Sequence, residues 1–366
     1  MIYRVIGVMS GSSLDGLDMA FIQFEEAGGR WTWQIEAAEC CEYPASWQER
    51  LKGATELSAR EYMLLHADFG HYIGRQVCRF MEENELSYRV SLIASHGHTT
   101  FHMPPRMTGQ IGCGAAIAAE TGLPVVTDLR ALDVALGGQG APIVPIGEKL
   151  LFPDERFLLN IGGIANLSVA TPAGYVAFDT SPANRLLNLL VAPQGLDFDE
   201  DGRIAATGEI DHELLRQLQS LPYHSMAYPK SLPNDFGTDV VMPLILKSGG
   251  IIPNALRTVV EYIAWAVSTG VSGVIDQAEL RDVAGSRLLV TGGGALNAFL
   301  VSRIDALMKP LGISAIAADP VTAMYKEALI MGLLGVLRWR EESTALSTVT
   351  GASRDSIGGA LWMGHA

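Results

Sequence analysis

"GVMSGSSLDGLD", Gly7 to Asp18, follows directly on the short run Ile2–Ile6 at the start of the chain. Beyond the end of the first strand signal it places Gly11 and Gly16, the hydroxyls of Ser12 and Ser13, and the carboxylates of Asp15 and Asp18. Two readings are open. Gly, Ser and Asp are turn formers, so the stretch fits an ordinary hairpin. Glycine also lets a backbone approach a ligand and aim successive N–H groups at phosphate oxygens, so it equally fits the mouth of a nucleotide site. In that reading Gly11, Ser12, Ser13, Leu14, Asp15, Gly16, Leu17 and Asp18 form the loop, and Asp15 or Asp18 holds Mg²⁺ through water.

The surrounding pattern bears on the choice. Strand signals cover Tyr3–Met9, Leu17–Phe24 and Trp31–Glu39, an antiparallel meander. Leu64, Leu65, Phe69, Ile73, Val77 and Phe80 then recur at helical spacing within Ser58–Glu85. Val90–Ala94 and Pro124–Thr127 read as short strands with a helix over Ala115–Glu120 between them. The segment "FLLNIGGIANLSVATPAGYVAFDT" (157–180) repeats the opening layout of strand, Gly-rich turn, strand, turn, strand, with a helix from Asn184. "LLVTGGGALNAFL" (288–300) adds a strand, a tight turn at Gly292–Gly294 and a helix from Leu296. Glycine loops therefore close strands near residues 11, 162 and 293, the second carrying Gly162 and Gly163. A duplicated framework predicts two similar lobes with a ligand cleft between them. No G-x-x-x-x-G-K-[ST] loop occurs, and "GGGALN" lacks the full G-x-G-x-x-G spacing.

At 366 residues the chain exceeds the size of one growing core, which favours two domains. The formal net charge of −14 argues against nonspecific nucleic-acid binding, which calls for a basic face, as the main task. The uncharged run 157–178 is interrupted by Asn160, Asn166 and Pro172-Ala173-Gly174, and reads as strands rather than a membrane span. No signal peptide is expected. Cys40, Cys41, Cys78 and Cys113 follow no metal spacing and read as reduced core thiols of a cytoplasmic protein. His96, His98 and His102 lack a completing carboxylate or thiol, so a pocket-wall or loop-ordering role is expected over zinc ligation.

The ordered series "GVMSGSSLDGLD", "ASHGHTTFHMP", "QIGCGAAIAAETGLPVVTDLRALDVALGGQGAPIVP", "LNIGGIANLS", "FDTSPAN", "DGRIAATG", "VTGGGALNAFL" and the late "KEA" resembles the motifs of the anhydro-N-acetylmuramic acid kinases over nearly the whole chain. The resemblance implies an α/β fold of two ribonuclease-H-like lobes, as in the actin/hexokinase/heat-shock-70 ATPases, with the active site in the inter-lobe cleft. It implies a homodimer that uses ATP and Mg²⁺, opens the 1,6-anhydro bridge of its amino sugar with water and phosphorylates O6. The first lobe is expected over residues 1–130 plus a returning 342–366, and the second over 131–341.

The resemblance also assigns residues. Asp179, read as ending the third strand of the second meander, becomes the base that takes a proton from the attacking water; the competing reading is an N-cap for the next helix. Gly11–Asp18 with Gly162, Gly163, Gly292, Gly293, Gly294 and Asn297 fall to ATP, and Arg130, Asn184 and Glu327 to the sugar. Arg130 suits the lactyl carboxylate or the transferring phosphate, against a salt bridge to Asp128 or Asp133. Glu327 is otherwise a cap at the start of an apolar helix, Ala328–Leu337.

There are departures. Gly-Thr-Ser of the family is Gly11-Ser12-Ser13 here, and Ser-His-Gly-Gln is Ser95-His96-Gly97-His98. Two family glycines beside the base are Ser181 and Ala183. A family Lys-Ser-x-Gly-x-x-x-Phe segment corresponds to Lys230-Ser231-Leu232-Pro233-Asn234-Asp235-Phe236. If those glycines have positive φ or touch the sugar, a paralogous kinase for a different sugar is the alternative; a nucleotide-gated chaperone-like protein is another.

Overall fold

The computed structural model describes residues 1–11, 13–228, 230–233 and 235–364. The chain divides into two compact units, Met1–Phe152 with Tyr325–Ala366, and Pro153–Met324.

In the first unit β1 (Ile2–Ser10), β2 (Gly16–Ala27) and β3 (Arg30–Glu42) form the expected meander, with Gly7 opposite Ala20 and Phe21 opposite Ala37. Helix Ala59–Glu83 follows. Ser58 opens it with a capping box, its hydroxyl accepting from Glu61 N–H while the Glu61 carboxylate accepts from Ser58 N–H. Its buried face, Leu65, Phe69, Ile73, Val77 and Phe80, packs on Ile6, Val8, Phe21 and Ile93. Leu64, expected in that face, is exposed. β4 (Leu92–Met103) lies parallel to β1, carries the hairpin strand β5 (Met107–Ile111), and pairs with the parallel β6 (Val125–Thr127).

β4 is much longer than the short strand expected at 90–94. Gly97, at φ 73°, shifts its register against β1 and lets the strand continue through His102. A side chain there would meet Ile111 O at 2.4 Å.

The second unit repeats this plan. β7 (Phe157–Ile161), β8 (Ile164–Thr171) and β9 (Gly174–Pro182) form a meander, and β10 (Arg287–Thr291) and β11 (Ser314–Ala317) continue it in parallel on the β7 side. Its core joins one face of this sheet, with Leu159, Leu167 and Val290, to helix Ile252–Gln277 through Val259, Ile263, Val267 and Val271. The last strand, β12 (Ala360–Trp362), pairs antiparallel with β6 in the first sheet. The sheet orders are β12-β6-β4-β1-β2-β3 and β11-β10-β7-β8-β9. Apart from the appended β5 and β12, both read third-second-first-fourth-fifth, with the same alternation of antiparallel and parallel pairs. That is the ribonuclease-H-like order, present twice.

The unit boundaries fall at 152/153 and 324/325, not near 130/131 and 341/342. Helix Val144–Leu151 stays in the first unit because Gly147 abuts Ile330, where a Cβ would come within 2.5 Å of the isoleucine side chain. Helix Pro320–Trp339 likewise lies along the first sheet, with Gly7 against Ala328 and Gly335 against Ala94. This helix and Ile252–Gln277 are long and apolar enough to cross a membrane, and most of each is buried in the protein.

A Cβ on Gly7 would lie 1.8 Å from Ala328 O. Gly7→Ala is therefore expected to cost at least about 1–3 kcal/mol and to lower the melting temperature by roughly 5 °C. Gly273→Ala, in helix Ile252–Gln277 with nothing within 4 Å of its new methyl, is expected to raise it slightly. Thermal melts of the two variants check both signs.

Candidate functional site

Within the first unit the structure gathers the Gly11 loop, Asp18, Glu327 and Arg130. Ser12 lies outside the described residues. Ser13 Oγ donates to Asp15 Oδ1 at 2.6 Å, and Gly16 N–H donates to the same oxygen at 2.9 Å, so Asp15 organises its own turn. Leu14 has φ 60°. Leu17 is fully buried, and Gly16 has no room for a side chain, because a Cβ would meet Cys40 Sγ at 2.6 Å; both serve the meander rather than an open loop. Asp18 is likewise a strand residue, within the strand expected over Leu17–Phe24. It stands inside β2, opposite Met9 and Cys40, not in the connection. Burial pushes its carboxyl up to about 6, a bond from Cys40 opposes this, and the charges of Asp15 and Glu327 add to it.

Arg130 makes neither of the salt bridges considered for it. Its Nε–H donates to His96 Nε2 at 2.7 Å and its Nη1–H to Gly140 O at 3.1 Å. Asp133 is occupied elsewhere, accepting from Gly140 N–H and Thr350 Oγ, and Asp128 accepts from Thr127 Oγ. Because His96 Nε2 accepts, the proton sits on Nδ1, which donates to Gly97 O at 2.9 Å. Burial, and then the Arg130 charge, hold His96 neutral, with its pKa down at about 3. Burial also works against the Arg130 charge, and Glu327 favours it. His98 Nδ1 pairs with Ser10 Oγ at 3.0 Å, which also accepts from Tyr43 OH. The histidines are thus strand residues that order their neighbours. Among the described residues no metal-ligating cluster of three or more side chains occurs. Glu327 is not a helix cap, since its helix begins at Pro320. The four cysteines are free and half-buried rather than core residues.

Within the second unit Gly162, Gly163, Asn184 and Gly292–Gly294 meet at the carboxyl ends of the parallel strands β7 and β10, the usual ligand edge of an α/β sheet. Asn184 ties the two loops. Its N–H donates to Gly162 O at 3.0 Å and its Nδ2 to Ile161 O at 3.1 Å, while Gly293 and Gly294 lie against its carboxamide. Asn184 thus belongs with the glycine loops, in a different unit from Arg130 and Glu327. The three glycines differ. Gly292 has φ 79° and packs on Ile161 O, and a Cβ on Gly294 would strike Ile161 Cγ2 at 2.3 Å. A Cβ on Gly293 would meet only Asn184 Nδ2, at 3.5 Å. Asn297 is the N-cap of helix Ala298–Met308, its Oδ1 accepting from Leu300 N–H, so the expected helix from Leu296 begins two residues later.

Asp179 sits within β9, which runs on to Pro182, and the helix from Asn184 has Ala183 at its N-cap without a side-chain bond. The cap reading is therefore excluded. Asp179 Oδ1 accepts from Asn166 Nδ2 at 3.1 Å, and Oδ2 accepts from Leu232 N–H at 2.8 Å. Tyr223 OH donates to its backbone carbonyl at 2.7 Å. Burial raises the Asp179 pKa, and the Leu232 and Asn166 bonds oppose the rise. Asn166, Tyr223 and Leu232 were not legible as partners. Asn166 is opposite Asp179 only through the β8–β9 register, and residues 223 and 232 arrive from a distant loop. Asn234, in that loop, lies outside the described residues. Ser181 and Ala183 are fully buried and neither has a positive φ, so both departures lie inside the fold.

The sequence pattern of the anhydro-N-acetylmuramic acid kinases matches residues 3–364. Curated kinases of that name from Salinibacter ruber and Shewanella woodyi are 34% and 33% identical to the chain; each alignment covers 98% of it, and 95% and 98% of the respective relatives.

The raised Asp18 pKa has a stability consequence. A carboxyl whose folded pKa lies above its ordinary 3.8 contributes stability that is full below that value and is lost as pH rises through about 6. Asp18→Asn is expected to stabilise the ligand-free protein by on the order of 2 kcal/mol at pH 8 and to remove this part of the fall in melting temperature between pH 4 and about 6. Melts across pH 4–8, a range chosen around those two values, check it.

Proposed function

The chain belongs to the anhydro-N-acetylmuramic acid kinase family, and on that premise we propose that it hydrolyses the 1,6-anhydro bridge of anhydro-N-acetylmuramic acid and phosphorylates O6 at the expense of ATP, giving N-acetylmuramic acid 6-phosphate for cell-wall recycling. The observation that carries this reading is the Asp179 carboxylate. It is aimed by two bonds, from Asn166 and Leu232, and burial raises its proton affinity towards the working pH of a general base. Water adds to C1 as the C1–O6 bond breaks, Asp179 takes the water proton, and O6 accepts the γ-phosphoryl group as ADP leaves.

Arg130 suits the sugar's carboxylate, because His96 and Gly140 engage its Nε and one terminal nitrogen and so set the plane of the guanidinium. Glu327 is assigned to sugar hydroxyls. The Gly162 and Gly293 loops with Asn184 are assigned to the nucleotide, and Gly293, alone of its trio, has no packing reason to be glycine. The Gly11 loop is assigned to the phosphates. The carboxylates of Asp15 and Asp18 fit Mg²⁺, which keeps waters and rides on nucleotide phosphates; they would hold it, and it would neutralise phosphate charge. A cytoplasmic homodimer completes the reading, with the four free thiols supporting the location. The burial of Ser181 and Ala183 favours the family's own sugar over a different one.

Asp179→Asn keeps the shape and the Leu232 bond but cannot take a proton. kcat is expected to fall by about 10²–10⁴ with little change in melting temperature. Turnover in ¹⁸O-labelled water should place the label on C1 of the product. Label appearing in phosphate would mean simple ATP hydrolysis and would overturn the reading.

A further inference from the structure

Lys326 and Glu148 form an ion pair that the chemistry above leaves unused. Lys326 Nζ donates to Glu148 Oε1 at 2.6 Å, and the side chains are only 1% and 2% exposed. Glu148 Oε2 is also buried and has no hydrogen-bond partner among the described residues. Lysine is almost never buried this completely, and a buried pair gives little net stability over apolar residues of the same volume. An incompletely satisfied pair of this kind therefore calls for a reason other than stability.

Its place in the fold supplies one. The chain leaves the first unit after Phe152 and re-enters it at Tyr325. Glu148 stands in the last helix before the exit, Val144–Leu151, and Lys326 in the first turn after the re-entry, on helix Pro320–Trp339. The next residue is Glu327, whose charge reaches both Asp18 and Arg130. The residue after it, Ala328, is seated against Gly7, and two residues further Ile330 is seated against Gly147. These steric contacts hold the helix from one side of Glu327. The ion pair is the polar anchor of the residue just before Glu327, one helical turn from Ile330 on the same face of the helix.

We propose that the Lys326–Glu148 pair is a positioning device for Glu327: it sets the rotation and height of the first turn of its helix in this unit, and sugar recognition depends on it. The inference rests on the reading of Glu327 as a sugar ligand.

The test measures kcat, KM for the anhydro sugar, KM for ATP and the melting temperature. In Lys326→Met/Glu148→Leu, where apolar residues fill the same space, the melting temperature should stay near wild type while the sugar KM rises about 10- to 100-fold and the ATP KM does not change. A double variant with both wild-type stability and wild-type sugar KM overturns the proposal. Should that variant not fold, Glu148→Asp retains the charges and shortens the reach by one methylene. It should raise the sugar KM in a folded protein, and an unchanged value overturns the proposal equally. Glu327→Gln separates the two layers. If it leaves the sugar KM unchanged, the assignment of Glu327 fails and the inference with it. If it weakens the sugar while the pair variants are silent, only the role of the pair is lost.

Discussion

Gly7 has no room for a side chain, and much of the first unit is arranged around that fact. A Cβ would lie 1.8 Å from Ala328 O, so helix Pro320–Trp339 runs directly on the backbone of β1. The seating continues at Gly332, where a Cβ would approach Ile22, and at Gly335 against Ala94. Contact this close allows almost no sliding, because protein interiors are packed to crystal density. The side chains just before Ala328 therefore inherit their positions from the centre of the sheet: Lys326 towards Glu148, and Glu327 within electrostatic reach of Asp18 and Arg130.

The same economy governs the charges. Asp18, Asp179, His96 and Arg130 all sit where desolvation opposes their ionised forms. Each is held by a small number of directed bonds. Asp179 has an amide and a backbone N–H, and Arg130 has a neutral imidazole and a carbonyl. Such groups are poor contributors to stability and good ones to chemistry, since a bound ligand can supply the charge that the fold withholds.

The duplication places chemistry at equivalent points of the two sheets. The connection after the first strand is the Gly11 loop in one and the Gly162-Gly163 turn in the other. The fourth strand is β4 with the histidines in one and β10 with the Gly292 turn in the other. At these two points one strand order carries side-chain donors and acceptors in the first unit and glycine backbone in the second, whose own side-chain chemistry sits on β9 at Asp179.

Local pattern was enough to read the meanders, the helix Ala59–Glu83 and the repetition, because alternation, capping and turn chemistry act over a few residues. The motif series singled out Asp179, Arg130 and Glu327 as candidates. The length of β4 was not legible, since a positive-φ glycine looks like a strand end until its pairing with β1 and β5 is known. The unit boundaries were missed for a related reason: Gly147 and Gly335 carry no hydrophobic signal, yet their close contacts decide which sheet a helix joins. Leu17, Asp18 and Asn297 were assigned to the nucleotide from the motif series, and only the structure adds that Leu17 is buried, that Asp18 faces Met9 and Cys40 across the meander, and that Asn297 caps a helix. The sequence by itself determined which elements form and which residue types are available for catalysis. Tertiary structure alone decided what holds each of them, because Asn166, Leu232, His96 and Glu148 reach their partners only across strands and between helices that are far apart along the chain.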